Sequence, residues 1–346
     1  MTKTINDKYS ALYSIKTIPE DFIVNELPFY PELNNLNISS YTYLWLLKKN
    51  YNAFDVIGII KTYFRVPFSE IGMAGLKDED GITKQLISIK KIIKKDRFDD
   101  FNKKYYRKND YINLTPYGYG KEAIRPRRLH GNSFTIVVRN IKKQLANKIY
   151  SELKTNRFFS FINYYDDQRF GLPSGPFNSH LIGKAIIDKH WEKAYGLFSA
   201  SQNSQGVSKK LTSYKNYFTQ VNPQKMNFFV SSYTSYLWNK SVADYVKKNA
   251  KTISYNLDNV CNLEIPSVKN SRLYSLWRVK GYEINGRNFR ITRNEKVRNL
   301  VVNTAVYSSE PKHDDINKGR YKITLDFYLP TGCYATMLIK QLMISR

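Results

Sequence analysis

Residues 71–89 read IGMAGLKDEDGITKQLISI, two apolar runs on either side of a charged segment. The runs Ile71–Gly75 and Ile82–Ile89 are rich in the apolar and β-branched side chains of strands. Residues 77–81 between them, KDEDG, are turn-forming. Asp78 is therefore predicted to lie at the end of a strand.

Strands and helices are predicted to alternate on both sides of this stretch. Apolar alternation and apolar runs predict strands at 21–28, 41–47, 111–114, 134–138 and 323–329. Apolar spacing of three to four predicts helices at 55–64, 146–153, 181–198, 228–246 and 334–343. The pattern indicates a mixed α/β or α+β domain at the two ends of the chain, which share one sheet, and a helix-rich domain in the middle.

The chain has the size of two ordinary domains and the charge of a polyanion-binding protein. It has 346 residues, 42% of them hydrophobic, and a net charge of +26. Such an excess of cations favours nucleic acid as the first candidate partner and a membrane surface as the second. No run of about twenty apolar residues and no apolar signal core occurs, so a cytoplasmic protein is expected.

Several common chemistries lack their sequence motifs. Cys261 and Cys333 form neither a CxxC pair nor a cysteine–histidine cluster, so no disulfide framework and no metal site is expected. Walker A, GxGxxG and GxSxG sequences are absent. A nuclease would need a paired acidic metal-binding constellation, which the sequence does not display.

Asp78 and the segment 158–171 are the best candidates for chemistry. A carboxylate beside a basic residue at a strand end can stay ionised and attack an electrophilic carbon, although an Asp in a charged turn is more often structural. Residues 158–171, FFSFINYYDDQRFG, combine aromatic, amide and guanidinium groups. Such groups stack on an extruded base and grip phosphate, or else form the edge of an aromatic core.

Ordered motifs along almost the whole chain resemble the TruD type of pseudouridine synthases. They are KTIPEDFIVNE at 16–26, KKNYN at 48–52, AGLKD at 74–78 with Thr83 and Gln85, GNSF at 131–134, NYY at 163–165, QRFG at 168–171, YLWN at 236–239 and LPTGCYAT at 329–336. Each motif is weak alone. Their joint order and spacing identify the chain as a member of this family.

The resemblance implies an α+β fold with two parts. A discontinuous pseudouridine-synthase catalytic domain with a mixed sheet would take 1–187 and 309–346. A TruD-specific α/β insertion domain would take 188–308 and help to form an RNA-binding cleft. The implied activity is an isomerase that converts uridine to pseudouridine in RNA, with position 13 of tRNA as the family's usual target and other RNAs left open.

The family's mechanism carries over to matching positions. Asp78 would be the nucleophile that initiates cleavage of the bond from N1 to the ribose, by an adduct or a glycal route. Lys16 would favour the anionic form of Asp78, and Phe22 would wall the pocket. No cofactor is required, because substrate and product have the same atoms, and no obligatory protein partner is expected.

The remaining site residues would bind the substrate. Tyr165 and Tyr334 would stack on the target base, and Asn163 would orient either the nucleotide or the active-site loop. Gln168 and Arg169 would contact RNA or, with equal weight, fix the backbone of their own loop. Glu79 and Asp80 have no catalytic assignment.

Three departures from the family pattern concern charge. Asp166 and Glu79 stand where the family usually has Gly and a cation, which adds negative charge near the expected phosphate path or simply faces solvent. Lys340-Gln341 stands where Arg-Glu is common, so a family ion pair is expected to be missing. The competing hypothesis is a noncatalytic RNA-binding protein or RNA chaperone of the same fold.

Overall fold

The computed structural model describes residues 12–75, 77, 81–107, 109–126, 128–171, 176–201, 213–221, 223–267, 273–285 and 290–345. The strands are β1 (Phe22–Pro28), β2 (Tyr41–Lys49), β3 (Ile71–Met73), β4 (Ile82–Ile89), β5 (Tyr111–Gly120), β6 (Leu129–Ile141), β7 (Phe158–Ile162), β8 (Thr252–Leu257), β9 (Cys261–Pro266), β10 (Leu276–Asn285), β11 (Arg290–Asn299), β12 (Val301–Ser308), β13 (Lys312–His313) and β14 (Tyr321–Pro330). The helices are α1 (Ala53–Phe64), α2 (Asp96–Tyr105), α3 (Lys143–Thr155), α4 (Ser179–Ile187), α5 (Trp191–Ser201), α6 (Tyr214–Gln220), α7 (Pro223–Asn249) and α8 (Ala335–Ile344).

A mixed sheet joins strands from both ends of the chain. Its strands follow the order β5-β2-β4-β1-β6-β14-β12-β7, with β3 paired to β4 and β13 to β14. The pair β1 and β4 is parallel, whereas β6 pairs antiparallel with both β1 and β14. Phe327 of β14 lies opposite Phe134 of β6, and their rings stack at 5.4 Å. Helices with a mixed sheet confirm the α+β class and the prediction that the two ends share a sheet.

The chain divides into two units. The sheet unit comprises Ala11–Phe159 and Thr304–Gly332, and the helix-rich unit comprises Ser160–Asn303 and Cys333–Arg346. These bounds differ from the predicted catalytic domain at 1–187 and 309–346 and insertion domain at 188–308. The predicted division concerns the family's functional parts and stays a prediction.

Helix α1 covers one apolar cluster of the sheet unit. The Asn52 side chain accepts a hydrogen bond from the Phe54 N–H at 2.8 Å, which caps the first turn. The helix then buries side chains at helical spacing against residues of β2, β4 and β5. Helix α2 adds Phe98 and Phe101 to the same cluster. The sequence did not predict α2, because lysines and aspartates surround its two phenylalanines.

Helices α4, α5 and α7 form the centre of the helix-rich unit. One helix was predicted over 181–198, which is wrong: Lys189 adopts a left-handed φ of +59° between α4 and α5. Gly183 of α4 lies so close to α7 that a Cβ there would be 2.0 Å from the Phe229 carbonyl oxygen. Glycine is therefore what allows these two helices to approach.

Two hairpins complete the helix-rich unit, β8 with β9 and β10 with β11, both antiparallel. Neither was predicted, because polar and charged side chains interrupt the apolar alternation of their strands. Over the ranges that the structure describes, no helix is long and apolar enough to cross a membrane.

Candidate active site

Asp78, with its neighbours Glu79 and Asp80, lies outside the described residues, and the chain on either side of it is described. Gly75 precedes it, and its carbonyl accepts a hydrogen bond from the Gln85 side chain at 3.2 Å. Gly81 follows it at the start of β4, where a Cβ would be 2.4 Å from the Phe22 carbonyl oxygen. Both flanks of the predicted catalytic loop are thus held against β4 and β1.

Lys77 points to a buried carboxylate of β1. Its ammonium lies 2.6 Å from Glu26 Oε2, and both side chains are buried. Glu26 Oε1 also accepts a hydrogen bond from the Leu86 N–H at 3.3 Å. The basic residue beside Asp78 in sequence therefore neutralises Glu26, which ties the loop to the sheet.

Lys16 and Phe22 come together at this same place in the sheet unit. Phe22 is 1% exposed, and Lys16 Nζ lies 4.3 Å from the centre of its ring. The parallel pairing of Ile23 with Ile82 places Phe22 next to Gly81. Phe22 thus lies next to both Lys16 and Gly81, the residue that ends the predicted catalytic loop.

A buried arginine holds the Lys16 segment. The main chain of Arg139 exchanges two hydrogen bonds with Ser14, at 2.8 and 2.9 Å. The Arg139 Nε donates to both oxygens of Asp21, and Asp21 Oδ2 also accepts the Ile18 N–H. Lys16, with a left-handed φ of +57°, lies between these attachments. Sequence reasoning missed this role of Asp21 and Arg139, because only the fold brings them together.

Arg139 also binds Asp314 and Asp315 through Nη1, at 2.9 and 2.8 Å. Burial opposes ionisation of Asp314, but hydrogen bonds from Asn140, Asn317, Ile316 and Arg139 outweigh it and lower its pKa to about 2. Asp314 therefore stays charged, and the buried guanidinium keeps its counter-ions.

The other predicted residues belong to the helix-rich unit, where Asn163 and Tyr165 follow β7. Asn163 Nδ2 donates to the Asn299 carbonyl at 3.1 Å, and its Oδ1 accepts from Arg298 Nη2 at 3.0 Å. The Asn239 side chain bonds both the N–H and the carbonyl of Tyr165, each at 2.8 Å. These contacts fit the alternative in which Asn163 orients a loop.

The Tyr165 ring is surrounded by aromatic and cationic groups. Trp238 and Tyr334 meet it edge to face, at 6.5 and 6.0 Å between ring centres. The Arg298 guanidinium lies 3.7 Å from the centre of the ring, directly on its face. Arg298 was not among the predicted residues, because a single Arg on an irregular polar strand has no distinguishing pattern.

Arg169, Gln168 and Tyr334 occupy three different settings. Arg169 Nε donates to Ser235 Oγ of α7 at 3.0 Å, and its guanidinium lies 5.8 Å from the Tyr165 ring. The side chain of Arg169 thus contacts α7. Gln168 is exposed. Tyr334 precedes α8, and burial raises its pKa to about 12, so its hydroxyl is neutral.

Asp166 is not on an open phosphate path, and it does not face solvent. It is fully buried, with Oδ1 2.6 Å from Lys340 Nζ and Oδ2 bonded to the Thr336 hydroxyl. Lys340 also lies 3.0 Å from Asp167 Oδ2. Asp166 and Lys340 therefore neutralise each other. Gln341 bonds the N–H and carbonyl of Ile162 at 2.8 and 2.7 Å.

The predicted residues that the structure describes thus form two sets, Lys16 and Phe22 in the sheet unit and the other five in the helix-rich unit. Among the described residues, no three His, Cys, Asp or Glu side chains are grouped as a metal site would require.

A model of the family tRNA pseudouridine synthase D (TruD) matches residues 3–212. The chain belongs to the TruD family. This confirms the predicted family and the predicted enzyme class, an isomerase of the pseudouridine synthase type. The TruD match contains the predicted residues other than Tyr334, and Arg298 lies beyond it.

Relatives of TruD type match over nearly the whole chain. The sequence is 26% identical to "Probable tRNA pseudouridine synthase D 1" of Methanococcus maripaludis, with 93% of this chain and 97% of that protein covered. It is 25% identical to tRNA pseudouridine synthase D of Sulfurimonas denitrificans, with 95% of each covered. The crystal structure of the TruD protein from Methanosarcina mazei covers 96% of this chain and 94% of its own at a TM-score of 0.61. The two sequences are only 19% identical, so this similarity is evidence for the fold alone.

Proposed function

We propose that this protein isomerises uridine to pseudouridine at position 13 of tRNA, with Asp78 as the nucleophile. The observation that carries the proposal is the TruD match over residues 3–212, which contains Lys16, Phe22 and the AGLKD segment in order. Relatives named for tRNA pseudouridine synthesis match at nearly full length. A net charge of +26 supports an RNA substrate. We place the reaction in the cytoplasm as part of the same proposal.

The reaction exchanges one ribose bond for another. The bond from C1′ to N1 breaks, a bond from C1′ to C5 forms, C5 loses a proton and N1 gains one. The atoms and the oxidation state are unchanged, so no cofactor is consumed. The carboxylate of Asp78 initiates the cleavage, and the ammonium of Lys16, set over Phe22 beside the loop, favours the ionised carboxylate.

The binding of an extruded uridine needs groups that replace lost stacking and pairing, worth a few kcal/mol. Tyr165 and Tyr334 supply aromatic surface, and Arg169 supplies a cation near it.

Replacement of Asp78 by Asn tests the proposal. Purified wild type and Asp78→Asn are incubated with a tRNA transcript, and pseudouridine at position 13 is quantified over time. We expect Asp78→Asn to lower the rate roughly 1,000-fold or more, because an amide is a poor nucleophile. Asp80→Asn removes an equal charge two residues away and serves as the matched control, with a change within about threefold.

Two outcomes would contradict the assignment. Equal product from wild type and Asp78→Asn would reject Asp78 as the nucleophile. If both proteins bind tRNA equally and neither forms pseudouridine, the noncatalytic RNA-binding hypothesis is correct instead. A transcript with C at position 13 tests the target, because product from it would place the modified uridine elsewhere.

A further inference from the structure

Arg298 reaches the predicted substrate-binding residues from a different part of the chain. It lies on β11, directly across the hairpin from Trp277 of β10. Trp277 Nε1 donates to Ser241 of α7 at 2.9 Å, so this face of the hairpin is turned toward α7. The Arg298 side chain lies on the same face of the hairpin, with its Cζ 5.0 Å from the centre of the Trp238 ring of α7.

Two contacts fix the guanidinium of Arg298. Nη2 donates to Asn163 Oδ1 at 3.0 Å, and the Arg298 Cζ lies 3.7 Å from the centre of the Tyr165 ring. The second distance is that of direct stacking, whereas Arg169 lies 5.8 Å from the same ring. A planar cation held by a ring and an amide loses little freedom when it binds a ligand.

The position of Arg298 changes which surface is available for a base. Tyr165 is 9% exposed; the Trp238 and Tyr334 rings meet it in T-shaped pairs, and the Arg298 guanidinium lies over its ring. Arg298 itself is partly exposed. The guanidinium therefore lies where a base stacked on that face of Tyr165 would lie.

We propose that Arg298 is a substrate-binding residue, on whose guanidinium plane the target nucleotide stacks, with Tyr165 as the layer behind it. Guanidinium planes stack on unpaired bases in RNA recognition, and their N–H groups donate to base and phosphate oxygens. The inference rests on the proposed function, because it assigns the surface that receives the target uridine. It gives Tyr165 a supporting role behind Arg298.

Substitutions on one hairpin test this assignment. The variants Arg298→Ala and Arg298→Lys are compared with the control variants Arg278→Ala and Arg278→Lys. The Arg278 side chain is 67% exposed and pairs with Glu295 at 3.2 Å. Arg278→Ala removes the same charge from the same hairpin as Arg298→Ala does. Single-turnover pseudouridine formation over a series of tRNA concentrations gives the maximal rate and the half-saturating concentration, and filter binding gives the tRNA dissociation constant.

We expect Arg298→Ala to lower the ratio of maximal rate to half-saturating concentration by about 10-fold or more, the size of a lost stacking contact. Arg298→Lys keeps the charge but not the plane, so we expect it to recover less than half of that loss on a logarithmic scale. Both Arg278 variants should stay close to wild type. Thermal unfolding of each variant shows whether it is folded. If Arg298→Ala does not fold, the comparison of Arg298→Lys with Arg278→Lys tests the assignment by itself.

Two results overturn the inference. Equal losses in the Arg298 and Arg278 variants would show a general electrostatic effect, and full recovery in Arg298→Lys would show that charge without a plane suffices. Failure of the proposed function is seen separately, because wild type would then form no pseudouridine. In that case the dissociation constants of the paired variants decide whether Arg298 binds the RNA.

Discussion

At the scale of single residues, Arg139 shows how buried charge organises the sheet unit. It is 3% exposed and binds three carboxylates, those of Asp21, Asp314 and Asp315. These contacts, with the Ser14 main-chain bonds, attach the Lys16 segment and the chain before β14 to the end of β6. Removal of one partner from a buried ion pair destabilises the folded protein, because the remaining charge stays in a medium of low polarity.

Asp314 should make stability depend on pH in the acid range. Its pKa is lowered to about 2 in the folded protein, against about 4 for an unfolded Asp. Its contribution, about 2 kcal/mol, is therefore complete above pH 4 and is lost as the pH falls through 2. We expect Asp314→Asn to lower the free energy of unfolding at pH 6 by about this amount, and the difference from wild type to narrow below pH 4.

Urea unfolding at pH 6, 4 and 3 measures this difference. Asp100→Asn, which changes an exposed carboxylate of α2, is the control and should differ little from wild type at each pH. A deficit of Asp314→Asn that stays constant from pH 6 to pH 3 would show that its carboxylate is not the group that titrates.

At the scale of elements, two kinds of contact hold the helix-rich unit. Helices α4 and α7 approach at Gly183, where only a glycine leaves room for the Phe229 carbonyl. Helix α8 is attached to the end of β7 through Gln341 and Ile162, and to the segment after β7 through Lys340 and Asp166. Residues 163–165, which the family motifs single out, are therefore bordered on both sides by contacts to α8.

Gly183→Ala should separate α4 from α7. A Cβ at 2.0 Å from the Phe229 carbonyl oxygen cannot be accommodated without movement of the main chain. Overpacking of this kind costs about 1–3 kcal/mol or more, which exceeds the gain in helix propensity. We expect a lower free energy of unfolding in urea.

Gly196→Ala on α5 is the matched control. A Cβ there meets no atom within 4 Å, so the same change should stabilise the protein by up to about 1 kcal/mol through helix propensity. Opposite signs at the two positions are the expected result. A stabilising Gly183→Ala would mean that the helices are further apart than the structure has them.

At the scale of the whole molecule, the net charge of +26 governs association with RNA. Counter-ions released from phosphates make such binding weaken as salt rises. We expect the logarithm of the tRNA association constant to fall linearly with the logarithm of salt. Three phosphate contacts would give roughly a 40-fold loss between 50 and 200 mM. Filter binding in a salt series measures the slope, and a slope near zero would show that stacking rather than phosphate contact dominates.

Features that rest on local patterns and on ordered motifs follow from the amino-acid sequence alone. Apolar alternation and apolar runs predicted β1, β2, β4 and β14, and apolar spacing of three to four predicted α1. The ordered motifs identified the TruD family, which the family match confirms. Local patterns carry this information because the strand and helix periods are read directly from neighbouring residues.

Which distant polar groups meet depends on the fold of the chain. Arg298 and Asn163 are 135 residues apart, and Arg139 and Asp21 are 118 residues apart. In the sequence, Asp166 adds negative charge near the expected phosphate path. In the fold, Lys340, 174 residues away, pairs with its carboxylate. Such pairs depend on the path of the chain, since a charged side chain in the sequence gives no sign of whether it will meet solvent or a buried counter-ion.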